Sequence, residues 1–252
     1  MKKRLRGLGF SLSEHIPVAR WCLALVVIAF AALVSVYKYI DLADTATFSA
    51  LEVLFLILTD AMNIVFIYLP LYLFIVSGIS FDRGYGGIEV LRCGSRNAWL
   101  GGKLVTYLLN TLIFFTALIL INVAVCAGAF SFSSAWSGDF VGFRVMSGQP
   151  AADFSVSPIP VIISACCAVL MFYVFCGVVN LLAALISGRE AVALFTSLFI
   201  GIAFGLANML VSTNGLISQL IRCGALLAAS AVIYAVCLIA VRKKNFGGKK
   251  MY

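Results

Sequence analysis

The chain alternates long apolar runs with short polar connections. The apolar runs lie near residues 21–40, 60–80, 104–127, 158–187, 191–210 and 221–241. Because a helix of about 20 apolar residues crosses the hydrocarbon core of a bilayer, each run predicts one transmembrane helix. The pattern therefore predicts an all-α polytopic membrane protein with about six transmembrane helices, organised as one transmembrane domain over residues 1–252.

Basic residues set the predicted orientation of the spans. If the spans alternate in direction, all but three of the 18 lysines and arginines fall on one side of the membrane. Since basic residues favour the cytoplasmic side, both chain ends are predicted to be cytoplasmic. The three exceptions are Lys38, Arg144 and Arg222. The formal net charge of +8 is thus a topology signal, and no nucleic-acid partner is predicted.

The two ends of the chain are predicted to stay outside the bilayer core. Residues 1–20 form a cytoplasmic interfacial segment, 21–241 the six-helix membrane domain and 242–252 a basic cytoplasmic tail. Within residues 2–16, leucines recur at helical spacing beside a cluster of cations, which favours a short amphipathic helix on the inner leaflet. A disordered basic tail is the alternative, because two glycines weaken this helix.

Composition agrees with a membrane protein and argues against an enzyme. Hydrophobic residues make up 63% of the chain and charged residues only 11%. The single histidine, His15, and the lack of a C-x-x-C pair among eight cysteines argue against zinc and thiol-redox sites. The cysteines are expected to fill small apolar spaces, although a bridge between Cys126 and Cys223 near the outer face stays open.

Nucleotide binding by this chain is not expected either. Gly102 and Lys103 look like the end of a phosphate-binding loop, but Asn97 stands where the loop needs its first glycine. Leu104 occupies the position of the hydroxyl residue that holds magnesium. The sequence therefore predicts no cofactor bound by this chain.

Charged residues are scarce in the middle of the predicted spans. Asp60, Glu190 and Arg222 stand at span ends, and the middle offers polar side chains such as Asn110, Asn122, Asn180 and Asn208. Proton-coupled and sodium-coupled transporters usually carry ionisable groups inside the membrane. Energy for any transport is therefore expected from another subunit.

The cytoplasmic connection Asp82–Lys103 has an unusual layout. After three glycines, a short helix is predicted in which Ile88 and Leu91 share an apolar face while Glu89 and Arg92 form an ionic one. Ser95 is predicted to cap the third span, with Trp99 at headgroup level and Lys103 extending towards the headgroups. An ordinary basic loop that binds lipid phosphates is the alternative.

This segment gives the chain a resemblance to a known family. The leader before span one, the glycine-rich turn after span two and the run from Leu91 to Arg96, followed by Trp99 and Lys103, resemble the membrane-spanning subunit of an ABC transporter of the type-2 permease class. The resemblance implies a coupling helix that docks into a separate ABC ATPase subunit, which would bind ATP and magnesium. It also implies a second permease copy or a paralogous permease. The residues it assigns to ATPase contact are Tyr85, Ile88, Glu89, Leu91 and Arg92.

Three further features concern the spans and the outer face. Residues 41–59 predict a short helix on the outer surface, followed by a second span that is kinked at Pro70. The outer loop 128–157 carries Trp136 and Phe140, which suit a lid at headgroup level. Gly201 and Gly205 form a G-x-x-x-G pattern that favours close packing with another helix, either internal or from a second copy.

Together these features predict a permease subunit of an ATP-driven exporter in a cell membrane, and a bacterial plasma membrane is expected. The predicted path has no charged pocket, which favours a hydrophobic or amphipathic substrate such as a peptide or a lipid. A stand-alone channel or secondary transporter, and a non-transporting sensor or assembly module, are the alternatives. Membrane lipids are expected partners in each case.

Overall fold

The computed structural model describes residues 18–43, 47–80, 95–148, 154–210 and 215–243. Within these ranges six helices are long and apolar enough to cross a membrane, and no strand occurs. The predicted all-α fold with about six spans is therefore confirmed, and the chain is a multi-pass membrane protein. The leader helix, the coupling helix and most of the basic tail lie outside the described residues.

Eight α-helices and two irregular turns make up the described fold. They are, in chain order, α1 (Val18–Ala43), α2 (Ala50–Thr59), a π-helical turn (Met62–Tyr68), α3 (Leu69–Val76), a 3-10 turn (Ser77–Ser80), α4 (Arg96–Ala129), α5 (Gly138–Met146), α6 (Pro158–Ser187), α7 (Glu190–Leu210) and α8 (Leu216–Lys243). The π-helical turn, α3 and the 3-10 turn together form the second span. Helices α2 and α5 are additional short elements.

The spans alternate in direction, so the fold has two distinct ends. Arg96 at the start of α4 donates a hydrogen bond to the carbonyl of Arg242, 3.0 Å away, near the end of α8. This end carries basic residues such as Arg20 and Arg189, and we call it the inner end. Helices α2 and α5 lie at the opposite end, which we call the outer end. Helix α6 packs against α8, α7 and α4 and contributes fully buried residues such as Tyr173 and Cys176 to the core.

The second span changes helix type where the sequence predicts a kink. Pro70 has no N–H and is the second residue of α3, directly after the π-helical turn. In that turn the Leu69 N–H bonds to the carbonyl of Ile64, five residues back. The Tyr173 hydroxyl also donates to this carbonyl at 3.3 Å. A wider turn thus precedes the proline.

Helix α2 differs from its predicted position. It lies at the outer end, but most of its residues are buried between α4 and α6 instead of facing the surface. The reason is its composition, because the run from Leu51 to Leu58 is apolar on every side apart from Glu52. Ser49 and Glu52 form a capping box at its start, and Asp60, in an extended conformation, ends it. The chain then turns into the second span.

The third span is longer than its apolar core suggests. Helix α4 has 34 residues, and the Ser95 side chain accepts a hydrogen bond from the Ala98 N–H at 3.1 Å, which confirms the predicted cap. Lys103 does not extend to the headgroups, since only 3% of it is exposed. Its ammonium lies 5.9 Å from the centre of the Trp99 ring, and Trp99 is buried as well. One face of the first turns of α4 is therefore packed against protein, while Asn97 and Ala98 are exposed.

Buried polar side chains and glycines join the spans at close range. Tyr107 donates to the Asn180 side chain at 2.7 Å, and Asn180 donates to Ser197 at 3.0 Å, so that α4, α6 and α7 are linked. A Cβ atom on Gly201 would lie 2.7 Å from Leu69, and one on Gly205 would lie 2.5 Å from Val65. Both glycines of α7 thus meet the second span of the same chain.

Candidate functional site

A cavity of about 420 Å³ opens at the outer end of the fold. Helices α1, α2, α5, α6, α7 and α8 and the second span all contribute to its wall. Among the lining residues are Lys38, Tyr39, Asp60, Ile64, Val65, Phe143, Arg144, Ala165, Ala168, Val169, Phe172, Gly205, Gln219, Arg222 and Leu226. Its volume lies in the usual range of about 300–1,000 Å³ for small-molecule sites.

The three basic residues that break the charge bias of the sequence meet in this cavity. Lys38, Arg144 and Arg222 come from α1, α5 and α8, and all three belong to its lining. Among the described lining residues, the only acidic side chain is that of Asp60. The three basic residues that the sequence places on the outer side thus line the same cavity.

Each cation is held by a different element. Lys38 is near the end of α1, with its ammonium 5.6 Å from the centre of the Tyr39 ring. Arg144 lies in the last turn of α5, and its guanidinium is 5.6 Å from the centre of the Phe55 ring of α2. Arg222 lies in the second turn of α8 and is half-buried. Aromatic faces therefore stabilise two of the three charges.

Asp60 has a structural role at the rim of the cavity. One carboxylate oxygen accepts from the Met62 N–H at 3.0 Å, and the other accepts from the Asn63 side chain at 3.2 Å. The first of these contacts caps the start of the second span. Asn63 in turn accepts a hydrogen bond from Ser35 of α1 at 3.3 Å. Asp60 thus fixes the second span against α1.

The inner part of the cavity is apolar. Val65, Val169, Phe172 and Leu226 are buried there. Val169 and Phe172 follow the start of α6 by about three to four turns, which corresponds to roughly 16–21 Å along that helix. The cavity therefore combines a cationic rim with an apolar floor that reaches towards the middle of the membrane.

A short outer cap, residues 130–148, covers this end and carries Arg144. Its Trp136 and Phe140 rings stack at 4.9 Å, and Trp136 also packs on Phe55 of α2 at 5.6 Å. The Trp136 indole donates to the carbonyl of Val156 at 2.7 Å. Phe140 is fully buried, so this part of the loop is a packed cap and not a headgroup-level lid.

The cap is bonded to the start of α2. Glu52 is fully buried, and its carboxylate accepts hydrogen bonds from the backbone N–H groups of Ser49 and Ser137. Asp139 accepts from both the backbone and the side chain of Thr47, at 2.9 and 2.8 Å. These two donors hold the pKa of Asp139 below its ordinary value. The cap and α2 thus form one packed unit above the cavity.

A second polar cluster lies at the inner end, immediately before the segment 81–94. Arg20 of α1 donates to the carbonyl of Phe74 at 3.0 Å and pairs with Glu190 of α7 at 3.4 Å. Ser77 also donates to Glu190, at 3.2 Å. The last turn of the second span is therefore tied to both α1 and α7.

Tyr85, Ile88, Glu89, Leu91 and Arg92 lie outside the described residues. The outer cavity was not predicted from the sequence, and the expectation of a path without a charged pocket is wrong for this cavity. A signal was nevertheless present. The three residues that violate the charge bias, Lys38, Arg144 and Arg222, are the ones that the fold brings together.

The site offers cationic and apolar groups suited to binding. In the described part of the chain, no group of three histidine, cysteine or acidic side chains is placed to hold a metal ion. The described cysteines are free, including Cys126 and Cys223. Comparisons with protein families, with curated proteins and with solved structures gave no match.

Proposed function

We propose that the chain is the transmembrane permease subunit of an ATP-driven exporter in a cell membrane. It forms part of a translocation path for a hydrophobic or amphipathic molecule and is driven by a separate ABC ATPase, which supplies the ATP and magnesium chemistry. A second permease copy, or a paralogous permease, completes the membrane part. The residues proposed to contact the ATPase are Tyr85, Ile88, Glu89, Leu91 and Arg92.

The observation that carries the proposal is the inner-end cluster of Arg20, Ser77 and Glu190. A push on the segment after the second span reaches several spans at once only if the end of the second span is linked to them. Arg20 and Glu190 provide this attachment, because they join the last turn of the second span to α1 and α7. A displacement at the inner end is thus passed to three spans at once.

The positions of the acidic residues also support an external energy source. In the described spans, Asp41, Asp60 and Glu190 stand at helix ends. Carriers driven by protons or sodium use ionisable groups within the membrane. ATP hydrolysis by a partner removes the need for such a group.

A charge reversal tests the proposed contact. Glu89→Arg is expected to abolish binding of the co-expressed ATPase while the protein still inserts into the membrane. Asp41→Arg, which makes the same change at the exposed outer end of α1, is the matched control and should keep the ATPase bound. Normal ATPase binding and transport by the Glu89→Arg protein would show that the contact is wrong.

One observation favours a secondary transporter as the second candidate. Asp60 is a carboxylate that lines the cavity, and protonation of such a group can drive a carrier. A secondary transporter should move its substrate into vesicles without ATP when a pH gradient is applied, and Asp60→Asn should abolish this transport. An ATP-driven exporter requires ATP.

A further inference from the structure

We propose that the outer cavity is a binding site for a single-chain amphipath with an anionic headgroup. Lys38, Arg144 and Arg222 receive the headgroup, and the apolar chain lies along Val65 and Phe172. The inference deepens the proposed function and rests on it in one respect, since the bound molecule is taken to be the transport substrate or its mimic. Binding itself requires only this chain.

The charge distribution indicates the sign of the headgroup. Three cations from three separate helices line one small space, and the described lining adds one carboxylate. Like charges brought together repel, and the repulsion grows where water is partly excluded. The two oxygens of that carboxylate already accept hydrogen bonds from Met62 and Asn63. An anion that enters the cavity offsets the repulsion among the cations.

The identity of the cations indicates the kind of anion. Two of the three are arginines, whose planar donor groups match phosphate and carboxylate oxygens. Arg144 stands on α5, and the first turn of α5 is fixed by the bonds from Ser137 to Glu52. A site held in place before binding loses less entropy when the ligand arrives. A phosphate or a carboxylate is therefore the headgroup that the rim fits.

The size of the cavity indicates a single chain. A volume of about 420 Å³ is in the lower part of the usual range for small-molecule sites. The floor is apolar at Val65, Val169, Phe172 and Leu226, and these residues are buried. One hydrocarbon chain can displace water from this floor and gain the corresponding hydrophobic free energy.

The test uses radiolabelled dodecyl phosphate and the full chain in nanodiscs of phosphatidylcholine, with protein-free discs subtracted. We expect saturable binding that weakens at high salt. Arg144→Gln and Arg222→Gln should each weaken it by about tenfold or more, as loss of a charge-assisted hydrogen bond does. Arg189→Gln, at the exposed inner connection, is the matched control and should bind as the wild type does.

A neutral probe and two further variants separate recognition from folding. Dodecanol, which lacks the anionic head, should bind equally to the wild type and to the arginine variants. Ala168→Phe fills the floor and should abolish binding of both probes. Lys38→Gln removes a third charge at an exposed position and should weaken dodecyl phosphate alone.

Three results would overturn the proposal. The first is binding no greater than in protein-free discs, and the second is unchanged affinity for dodecyl phosphate in the arginine variants. The third is competition by dodecyltrimethylammonium as strong as that by unlabelled dodecyl phosphate. Addition of lysophosphatidylglycerol, a single-chain lipid, to the discs identifies the natural source, because competition assigns the site to a membrane lipid and lack of competition to a delivered amphipath. A chain that binds the probe but no ATPase would refute the exporter and keep this site, and the opposite result would refute the site alone.

Discussion

The buried carboxylate of Glu52 accepts hydrogen bonds from both the backbone N–H and the hydroxyl of Ser137, 85 residues further along the chain. Glu52 caps α2, and Ser137 caps α5. One side chain thus joins the caps of two short helices, one of them carrying Arg144 over the outer cavity. The position of that cation depends on a carboxylate that does not itself line the cavity.

Glu52→Gln should destabilise the outer cap. An amide replaces one acceptor oxygen with a donor that faces backbone N–H groups, so a buried donor loses its partner. Such a loss costs about 1–3 kcal/mol. A lower melting temperature in detergent, together with weaker dodecyl phosphate binding, is the expected outcome. Asp41→Asn, an exposed change on α1, is the control, and equal melting of the Glu52→Gln and control proteins would contradict this role.

The bond between Asp139 and Thr47 should make the cap sensitive to acid. The pKa of Asp139 lies below its ordinary value of 3.8 because the Thr47 amide and hydroxyl favour the charged form. A depressed pKa stabilises the fold above pH 3.8, and that contribution is lost as the pH falls through the lower pKa of the folded state. The cap should therefore loosen in this acidic window.

Trp136 can report this loosening. The chain has three tryptophans, so replacing Trp21 and Trp99 by phenylalanine leaves Trp136 as the only tryptophan, which can be excited selectively at wavelengths where tyrosine does not absorb. Its emission should shift to the red on acidification below pH 3.8. In Asp139→Asn the shifted emission should already be present at neutral pH, and an acid transition identical to that of the parent would contradict the assignment.

Two helix glycines, Gly177 and Gly128, should differ in how well they tolerate replacement by alanine. A Cβ on Gly177 would lie 2.3 Å from the Tyr72 hydroxyl, and that hydroxyl is bonded to Thr111 at 2.8 Å. Because Tyr72 is fully buried, Gly177→Ala should cost about 1–3 kcal/mol through overpacking. Gly128→Ala, with no atom within 4 Å of the added Cβ, is the matched control. Thermal unfolding in detergent distinguishes the two, and equal stability would show that the contact relaxes freely.

The inner-end cluster should matter for coupling more than for stability. Arg20 and Glu190 are 26% and 35% exposed, and such pairs contribute only about 0–1 kcal/mol. The Glu190→Gln protein should therefore have the melting temperature of the wild type but transport fewer substrate molecules for each ATP hydrolysed. Its neighbour Arg189→Gln should leave both unchanged. Full coupling in Glu190→Gln would remove the cluster from the mechanism.

Much of the membrane fold follows from the sequence because the bilayer imposes a simple length rule. The six apolar runs predict the six observed spans, and Ser95 predicts the cap of α4. Helix α4 starts eight residues before its apolar run, since Trp99 and Leu100 are buried by protein contacts. Such contacts depend on neighbours that hydropathy does not identify.

The errors lie where distant segments meet. The acidic residues of 41–59 suggested a surface helix, but Glu52 is buried because Ser49 and Ser137 satisfy its oxygens. The spacing of Ser49 and Glu52 already carried the capping-box signal for α2. The cavity was not predicted, because Lys38, Arg144 and Arg222 are far apart in the chain and only the tertiary fold brings them together.

A pull-down of the tagged chain from its native membranes tests the exporter proposal most directly. It is followed by identification of the co-purifying chains and an ATPase assay. The proposal predicts a stoichiometric partner with a phosphate-binding loop and measurable ATP hydrolysis. A lone chain without ATPase activity, in detergents that preserve known transporter complexes, would contradict it.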